Sequence, residues 1–234
     1  MIGDALALRA RAHGTVVRMY DTNGKISRCM RRGLFYEHVL LEHIYRKGFT
    51  GRAVDVGANI GNHTLWFAIV CGMPTTAFEP IYTEHLRDNI MLNLAGDRAE
   101  IESFALGDCD GTATHHGQGR LSPAGADRLA DPSGPDVASG LRGEIGRVVK
   151  VRTLDSFNLQ NVTMIKIDVE GMEPAVLRGG EKTIRRDRPV IYAETWGPEE
   201  HTAISAVLSP WGYQVTARFD GRATPTPIEE WSLA

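Results

Sequence analysis

A chain of 234 residues that is 42% hydrophobic is long enough to bury one substantial core, and α/β folds of this size are usually single domains. A formal charge of −3 and a pI near 6.2 argue against a generally basic nucleic-acid binder, and no apolar run approaches the roughly eighteen residues needed to span a bilayer. Cys29, Cys71 and Cys109 are too few and too scattered for a disulfide framework or metal cluster. With no signal pattern at the amino terminus, the expectation is a cytoplasmic protein with neither nucleic acid nor membrane as partner.

Residues 1–50 read as a small cap on a main domain of residues 51–234. Residues 15–20 form a strand, Asp21-Thr22-Asn23-Gly24 a turn, and the chain from Ile26 returns as hairpin partner. Residues 35–46 follow as an amphipathic helix with Phe35, Val39, Leu40 and Ile44 on one face and Gly48 past its end. Arg28, Arg31 and Arg32 make a basic cluster, ordinarily solvated surface, an anion site for a charged acceptor being the rarer alternative.

The chain is organised around residues 53–64. An apolar strand at 53–56, charged only at Asp55, breaks at Gly57 and restarts after Gly61 as a helix carrying Leu65, Trp66, Ala68 and Ile69. Glycines let the backbone turn sharply beside a ligand, and the first-turn N–H groups of the new helix face it. The dinucleotide pattern Gly-x-Gly-x-x-Gly fits badly, because Asn59 stands where a glycine would clear room for pyrophosphate. Asp55 instead suits a ligand with a cationic end, which S-adenosylmethionine has in its ammonium and sulfonium. Glu79, ending the next strand about twenty residues on, is placed to accept both hydroxyls of a ribose.

Residues 82–94 read as a helix with Leu86, Ile90 and Leu94 toward the core, while Asn89 and Asn93 bond neighbouring loops. Residues 101–106 are the third strand, ending at Gly107-Asp108. Asp108 is either an acceptor for an adenine amine or a plain turn acid. From 110 to 147 glycine and proline recur (Pro123, Pro132, Pro135) and periodicity lapses, so a mobile loop over the acceptor site is expected. His115-His116 within it reads as a solvated pair rather than a base.

Residues 148–151 make a short strand, Thr153-Leu154-Asp155 starts a helical connection, and 164–169 form the fourth main strand. Lys166 inside it requires a partner, Asp55 or Glu194. Asp168 and Glu170 fall at the strand's carboxyl end on one face, where open α/β sheets place ligands. Glu173-Pro174 opens a helix ending near Gly179-Gly180, and residues 189–193 are the fifth strand, ending at Glu194. A helix at 198–208 and strands at 213–218 and 228–233 complete the sheet.

Asp-Val-Gly-Ala-Asn-Ile-Gly-Asn-His-Thr at 55–64, Ala77-Phe78-Glu79-Pro80, Thr153-Leu154-Asp155, Ile165-Lys166-Ile167-Asp168-Val169-Glu170-Gly171 and Val176-Leu177-Arg178-Gly179-Gly180 together resemble the FkbM family of S-adenosylmethionine-dependent methyltransferases. The resemblance runs from about residue 33 to about 196, and its Lys-Ile-Asp-Val-Glu-Gly segment is the most specific part. It implies a doubly wound, Rossmann-like class I α/β sheet, mostly parallel with the last strand antiparallel. It also implies O-methylation of a hydroxyl on a sugar or natural product. Cofactor contacts are expected from Asp55, Gly57, Asn59, Gly61, Asn62, Glu79, Asp108 and Asp168.

Methyl transfer to an alcohol needs in-line positioning and a base. The candidates are Asp168, His63, Glu170 and Glu194, with Asp168 first. His63 lies in a helix's first turn, where the N-terminus disfavours its protonated form. Asp168, Glu170 and Glu194 are also oxygen ligands of a kind magnesium accepts. The alternatives are an NAD(P)-dependent oxidoreductase, a non-catalytic cofactor-binding protein, or methyl transfer to an amine. Neither the acceptor nor the oligomeric state, a homodimer included, is legible.

Overall fold

Four short apolar strands, each buried on both faces, lie side by side and parallel at the middle of the molecule, as strands between two helical layers must. A computed structural model describes residues 7–116, 121–123, 145–220 and 227–233. The chain opens with a hairpin, β1 (Ala7–Ala12) and β2 (Thr15–Tyr20), followed by helices α1 (Lys25–Met30) and α2 (His38–Lys47). Strand β3 (Arg52–Val56) leads through the glycine turn into α3 (Asn62–Leu65), which widens into a π-helical turn at Trp66–Val70. Strand β4 (Thr75–Phe78), helix α4 (Thr83–Leu92) and strand β5 (Ala99–Glu102) complete this half.

Next come β6 (Ala105–Leu106), β7 (Gly111–His115), β8 (Leu121–Pro123) and β9 (Val148–Arg152). The chain then returns to the main sheet as β10 (Val162–Ile167). Helices α5 (Glu173–Gly179) and α6 (Glu181–Asp187), strand β11 (Val190–Glu194), helix α7 (Pro198–Leu208) and strands β12 (Tyr213–Phe219) and β13 (Ile228–Leu233) follow.

The main sheet has the order β12-β13-β11-β10-β3-β4-β5, and only β13 runs against its neighbours. This is the expected doubly wound, mostly parallel sheet with its antiparallel last strand. One apolar core fills the side of α2, α3 and α4, and a second the side of α5, α6 and α7. Adjacent β3 and β10 send their chains to opposite faces. Their carboxyl ends therefore leave the crevice where such sheets hold ligands.

Several expectations are corrected. The chain after Ile26 is helix α1, with Ile26, Ser27 and Met30 buried, and β2 pairs with β1 instead. The turn between them is His13-Gly14, both with positive φ, a two-residue loop matched to hairpin twist. Val39 is 63% exposed and Leu41 takes the core position beside Leu40 and Ile44, because the helix begins only at His38, after Phe35. Leu94 lies beyond α4 in a left-handed conformation and is 91% exposed. The run at 101–106 is broken at Ser103-Phe104, and its second half joins a separate four-stranded sheet of order β6-β9-β7-β8. That sheet contains Gly111–His115 and Leu121–Pro123, so the expected structureless loop is partly strand, and His115 is fully buried rather than solvated. The remainder of that loop, 117–120 and 124–144, with Pro132 and Pro135, lies outside the described residues.

Asn89 and Asn93 behave as their spacing suggests. Asn89 accepts the Tyr20 N–H and donates to the Ile60 carbonyl, while Asn93 accepts from and donates to the backbone of Arg18. They stitch the hairpin to α4 and the glycine turn. Among the described residues, no helix is long and apolar enough to cross a membrane.

Buried Glu230 on β13 ties α2 to the far half of the sheet by accepting from Thr216, His43, Lys47 and the Tyr192 hydroxyl. Burial alone would raise its pKa, but these donors outweigh it and hold the carboxyl at about 2 against an ordinary 4.5. Between those values the unfolded chain binds more protons than the folded one, so stability rises with pH there. The contribution is complete above pH 4.5 and is lost as pH falls toward 2. Thermal melts across that range should show a shallower acid limb for Glu230→Gln than for the parent.

Candidate active site

The crevice at the ends of β3, β4 and β10 is a cleft open to solvent, lined by Gly57, Glu79, Phe104, Lys166 and Asp168. Its edge is the glycine turn. Gly57 has φ +79, and a Cβ there would stand 1.9 Å from the Asp168 carbonyl oxygen, so the turn passes directly against the end of β10. The Gly57 and Ala58 N–H groups both donate to the Phe78 carbonyl. Asn59 is left-handed, and Gly61, φ +98, lies against Leu86.

Glu79 is held in a single orientation by three backbone donors. Oε2 accepts the Asn59 N–H at 2.8 Å, and Oε1 accepts those of Ile81 and Tyr82 at 2.7 and 2.9 Å. Phe104, Ala105 and Leu106 form an apolar wall nearby. Across the cleft the floor is charged. Lys166 is buried, with Nζ 3.2 Å from Asp168 Oδ2 and 3.6 Å from Asp55 Oδ1. Burial would lower its pKa, but the two carboxylates raise it, so the lysine stays charged. Asp168 is opposed by burial too, yet Lys166, a hydrogen bond with Glu194 and nearby His63 hold it below the usual carboxylate range. Oxygens of Asp168, Glu170 and Glu194 lie within 4.8 Å of one another. Glu170 reaches this cluster from a left-handed backbone position, φ 58.

Of the residues singled out from the sequence, Gly57, Asn59, Asn62, His63, Glu79, Asp168 and Glu170 line the cleft. Glu194 joins the carboxylate cluster at its edge, where its Oε2 accepts the Trp196 indole N–H. Gly61 shapes the turn without lining the cleft. Asp55 is not at the cleft surface. It is fully buried, with Oδ2 accepting from Thr64 at 2.6 Å and Oδ1 turned toward Lys166. Of the two partners expected for Lys166, Asp55 is the one found, and Asp168 is the second. Asp108 is outside the cleft, exposed and paired with Arg178 at 3.1 Å.

Tyr36 and Glu37 went unrecognised in the sequence. Asn62 donates to the Tyr36 carbonyl and accepts its N–H, which lays this segment over the helix start. Glu37, left-handed at φ 57, thereby brings Oε2 to 3.1 Å from His63 Nε2. Tyr36 lines the cleft, and the pKa of its hydroxyl is raised by burial and by the charges of Glu37, Asp168 and Glu194. Glu173 also escaped notice as a support. Its carboxylate accepts the Val169 and Gly171 N–H groups at 2.9 and 3.0 Å, fixing the loop that presents Asp168 and Glu170.

The described geometry is an acid-rich floor, an apolar wall and a fixed carboxylate around a tight glycine turn. The sequence profile of the Methyltransferase FkbM domain matches residues 55–215. Among solved structures, the FkbM methyltransferase of Methylobacillus flagellatus KT superposes with a TM-score of 0.56 at 18% identity, over 77% of this chain and 43% of that one. The tRNA (uracil-54, C5)-methyltransferase of Pyrococcus abyssi, solved in complex with S-adenosyl-L-homocysteine, superposes with a TM-score of 0.51 at 13% identity, over 96% of this chain and 44% of that one. This chain thus spans less than half the length of either. No curated protein sequence matches it. The profile match extends over more than half of the chain, from the glycine turn through the last crossover, and the protein belongs to the FkbM methyltransferase family.

Proposed function

We propose that the cleft binds S-adenosylmethionine and that the chain methylates a hydroxyl of a small acceptor, a sugar or natural product. The observation carrying this reading is the charge of the floor. Asp168, Glu170 and Glu194 cluster at one end of the cleft with buried Lys166 on Asp168 and Glu37 beside His63, an excess of negative charge suited to a ligand with cationic groups. When bound, S-adenosylmethionine supplies a methyl group already activated on a sulfonium.

The chain's part is to hold and to deprotonate. Glu79, preset by its three N–H donors, accepts the ribose hydroxyls, and Phe104 to Leu106 offer the base an apolar wall. Asp168 stays ionised and serves as counter-charge at the methyl end. The groups in place to take the acceptor's proton are Asp168 first and, as the alternative, His63 beside Glu37. Magnesium has no role in this reading. Lys166 already places a positive charge 3.2 Å from Asp168 Oδ2, where an ion would compete.

Calorimetric titration with S-adenosylhomocysteine, and in parallel with NAD, tests the assignment. Micromolar binding of the first, unchanged by magnesium, is expected, with none of the second; binding of NAD alone would replace methyl transfer with a dehydrogenase reading. Glu79→Ala should weaken S-adenosylhomocysteine by more than about tenfold, since a charge-assisted bidentate contact is lost. Asp168→Asn should slow transfer while largely keeping cofactor affinity. Unchanged affinity in the first variant, or full activity in the second, would remove that residue from its role.

A further inference from the structure

The N-terminal hairpin carries a face that methyl transfer does not use. Ala10, Val17 and Met19 turn inward to the core. Alternation puts Arg9, Arg11, Val16 and Arg18 on the opposite, solvent face. The register sets Arg9 directly across from Arg18, and Arg11 across from Val16. Like charges directly opposed on a two-stranded ribbon destabilise it. Some arginines elsewhere are paired with acids, among them Arg31 with Asp21, Arg52 with Glu100, Arg178 with Asp108 and Arg185 with Glu181. Among the described residues, none of the three hairpin arginines has such a partner.

Exposed aliphatic side chains adjoin this face. Val16 is 38% exposed within it. The two hydrogen bonds between the Asn93 amide and the Arg18 backbone dock the end of α4 on β2, so the chain that carries exposed Met91 and Leu94, 65% and 91% accessible, runs beside this ribbon. Surfaces that bind nucleic acid set aromatic rings among their basic groups for stacking. Here Val16 is the residue between the charges, and the one aromatic on this face, Tyr20, is half-buried at its end beyond Arg18, so the exposed groups among the arginines are aliphatic and suited to the boundary between headgroups and acyl chains.

We propose that this face docks the protein on an anionic phospholipid surface, with Arg9, Arg11 and Arg18 on the lipid phosphates and Leu94 and Met91 reaching the boundary below them. The whole-chain charge of −3 conceals such a local patch, which is why composition pointed away from a membrane.

Co-sedimentation of the full chain with vesicles tests this. The protein should pellet with phosphatidylcholine containing about one third phosphatidylglycerol and stay in solution with phosphatidylcholine alone, and high salt should release it. Arg9→Gln/Arg18→Gln should cut partitioning roughly twenty-five-fold, at about fivefold per arginine. Leu94→Ser should weaken it several-fold at constant salt. Both variants should keep the parent's melting temperature, the arginine pair even raising it by removing the opposed charges. Equal binding to both vesicle types, or an arginine variant that partitions like the parent, would overturn the proposal. Tight binding of a single-stranded oligonucleotide with no vesicle binding would assign the face to nucleic acid instead. If the arginines only keep the free ribbon edge from pairing with a second copy, the parent will bind neither vesicle and the arginine variant will self-associate.

Discussion

Gly57→Ala should cost at least about 3 kcal/mol and lower the melting temperature by roughly 6–12 °C. Two effects add. An alanine at φ +79 carries the left-handed penalty of about 1–2 kcal/mol, and its Cβ would meet the Asp168 carbonyl oxygen at 1.9 Å. That oxygen is backbone at the end of a central strand, so relief requires β3 and β10 to separate where they form the cleft. Gly14→Ala is the matched control. Gly14 has nearly the same dihedral, φ +80, but nothing lies within 4 Å of the added carbon. It should lose only about 1 kcal/mol, or two to four degrees. The difference between the variants isolates the clash, and on the proposed cofactor site Gly57→Ala also loses S-adenosylhomocysteine while Gly14→Ala retains it. Similar melting temperatures for the two would mean that the turn does not pass so close to β10.

The same contact explains why this part of the fold is legible in one dimension. Strand, glycine turn and helix are neighbours in sequence, and their local preferences agree with the packing around them. The acids after β10 are legible as a group at the sheet's carboxyl edge, although the strand stops at Ile167 and it is a left-handed Glu170, not continued alternation, that reaches the cluster. What stays hidden depends on contacts distant in sequence. Tyr36 and Glu37 reach the cleft because the Asn62 side chain, twenty-six residues on, takes both the N–H and the carbonyl of Tyr36. No pattern near residue 36 announces that. An acid just before the first glycine suggests that Asp55 meets a cationic ligand, yet Thr64 and Lys166 draw its carboxylate beneath the turn. The run at 101–106 misleads because its apolar residues are continuous while the strand is not, the second half belonging to another sheet. Asp108 then follows the chain away from the cleft to Arg178.

Lys166→Met should be as damaging as the glycine change, for an electrostatic reason. The lysine is the one cation set between Asp55 and Asp168, and methionine keeps its length while removing the charge. Breaking a buried ion cluster from one side leaves charges without compensation, at about 3–5 kcal/mol. For a chain of this size that corresponds to roughly 6–20 °C in melting temperature. The pH dependence distinguishes this cause from poor packing. In the parent, Asp168 is held below its ordinary value of 3.8, so its contribution is present above that pH and is lost as pH falls through the folded value. Without the lysine, burial works unopposed by that charge and pushes the carboxyl upward. The folded variant then binds more protons than its unfolded chain above pH 3.8, and its stability declines as pH rises. Parent and variant should therefore converge in acid and diverge toward neutrality, and adding Asp55→Asn should recover part of the loss. A constant gap at every pH would assign the cost to packing, and the floor's charge would then rest on something other than Lys166.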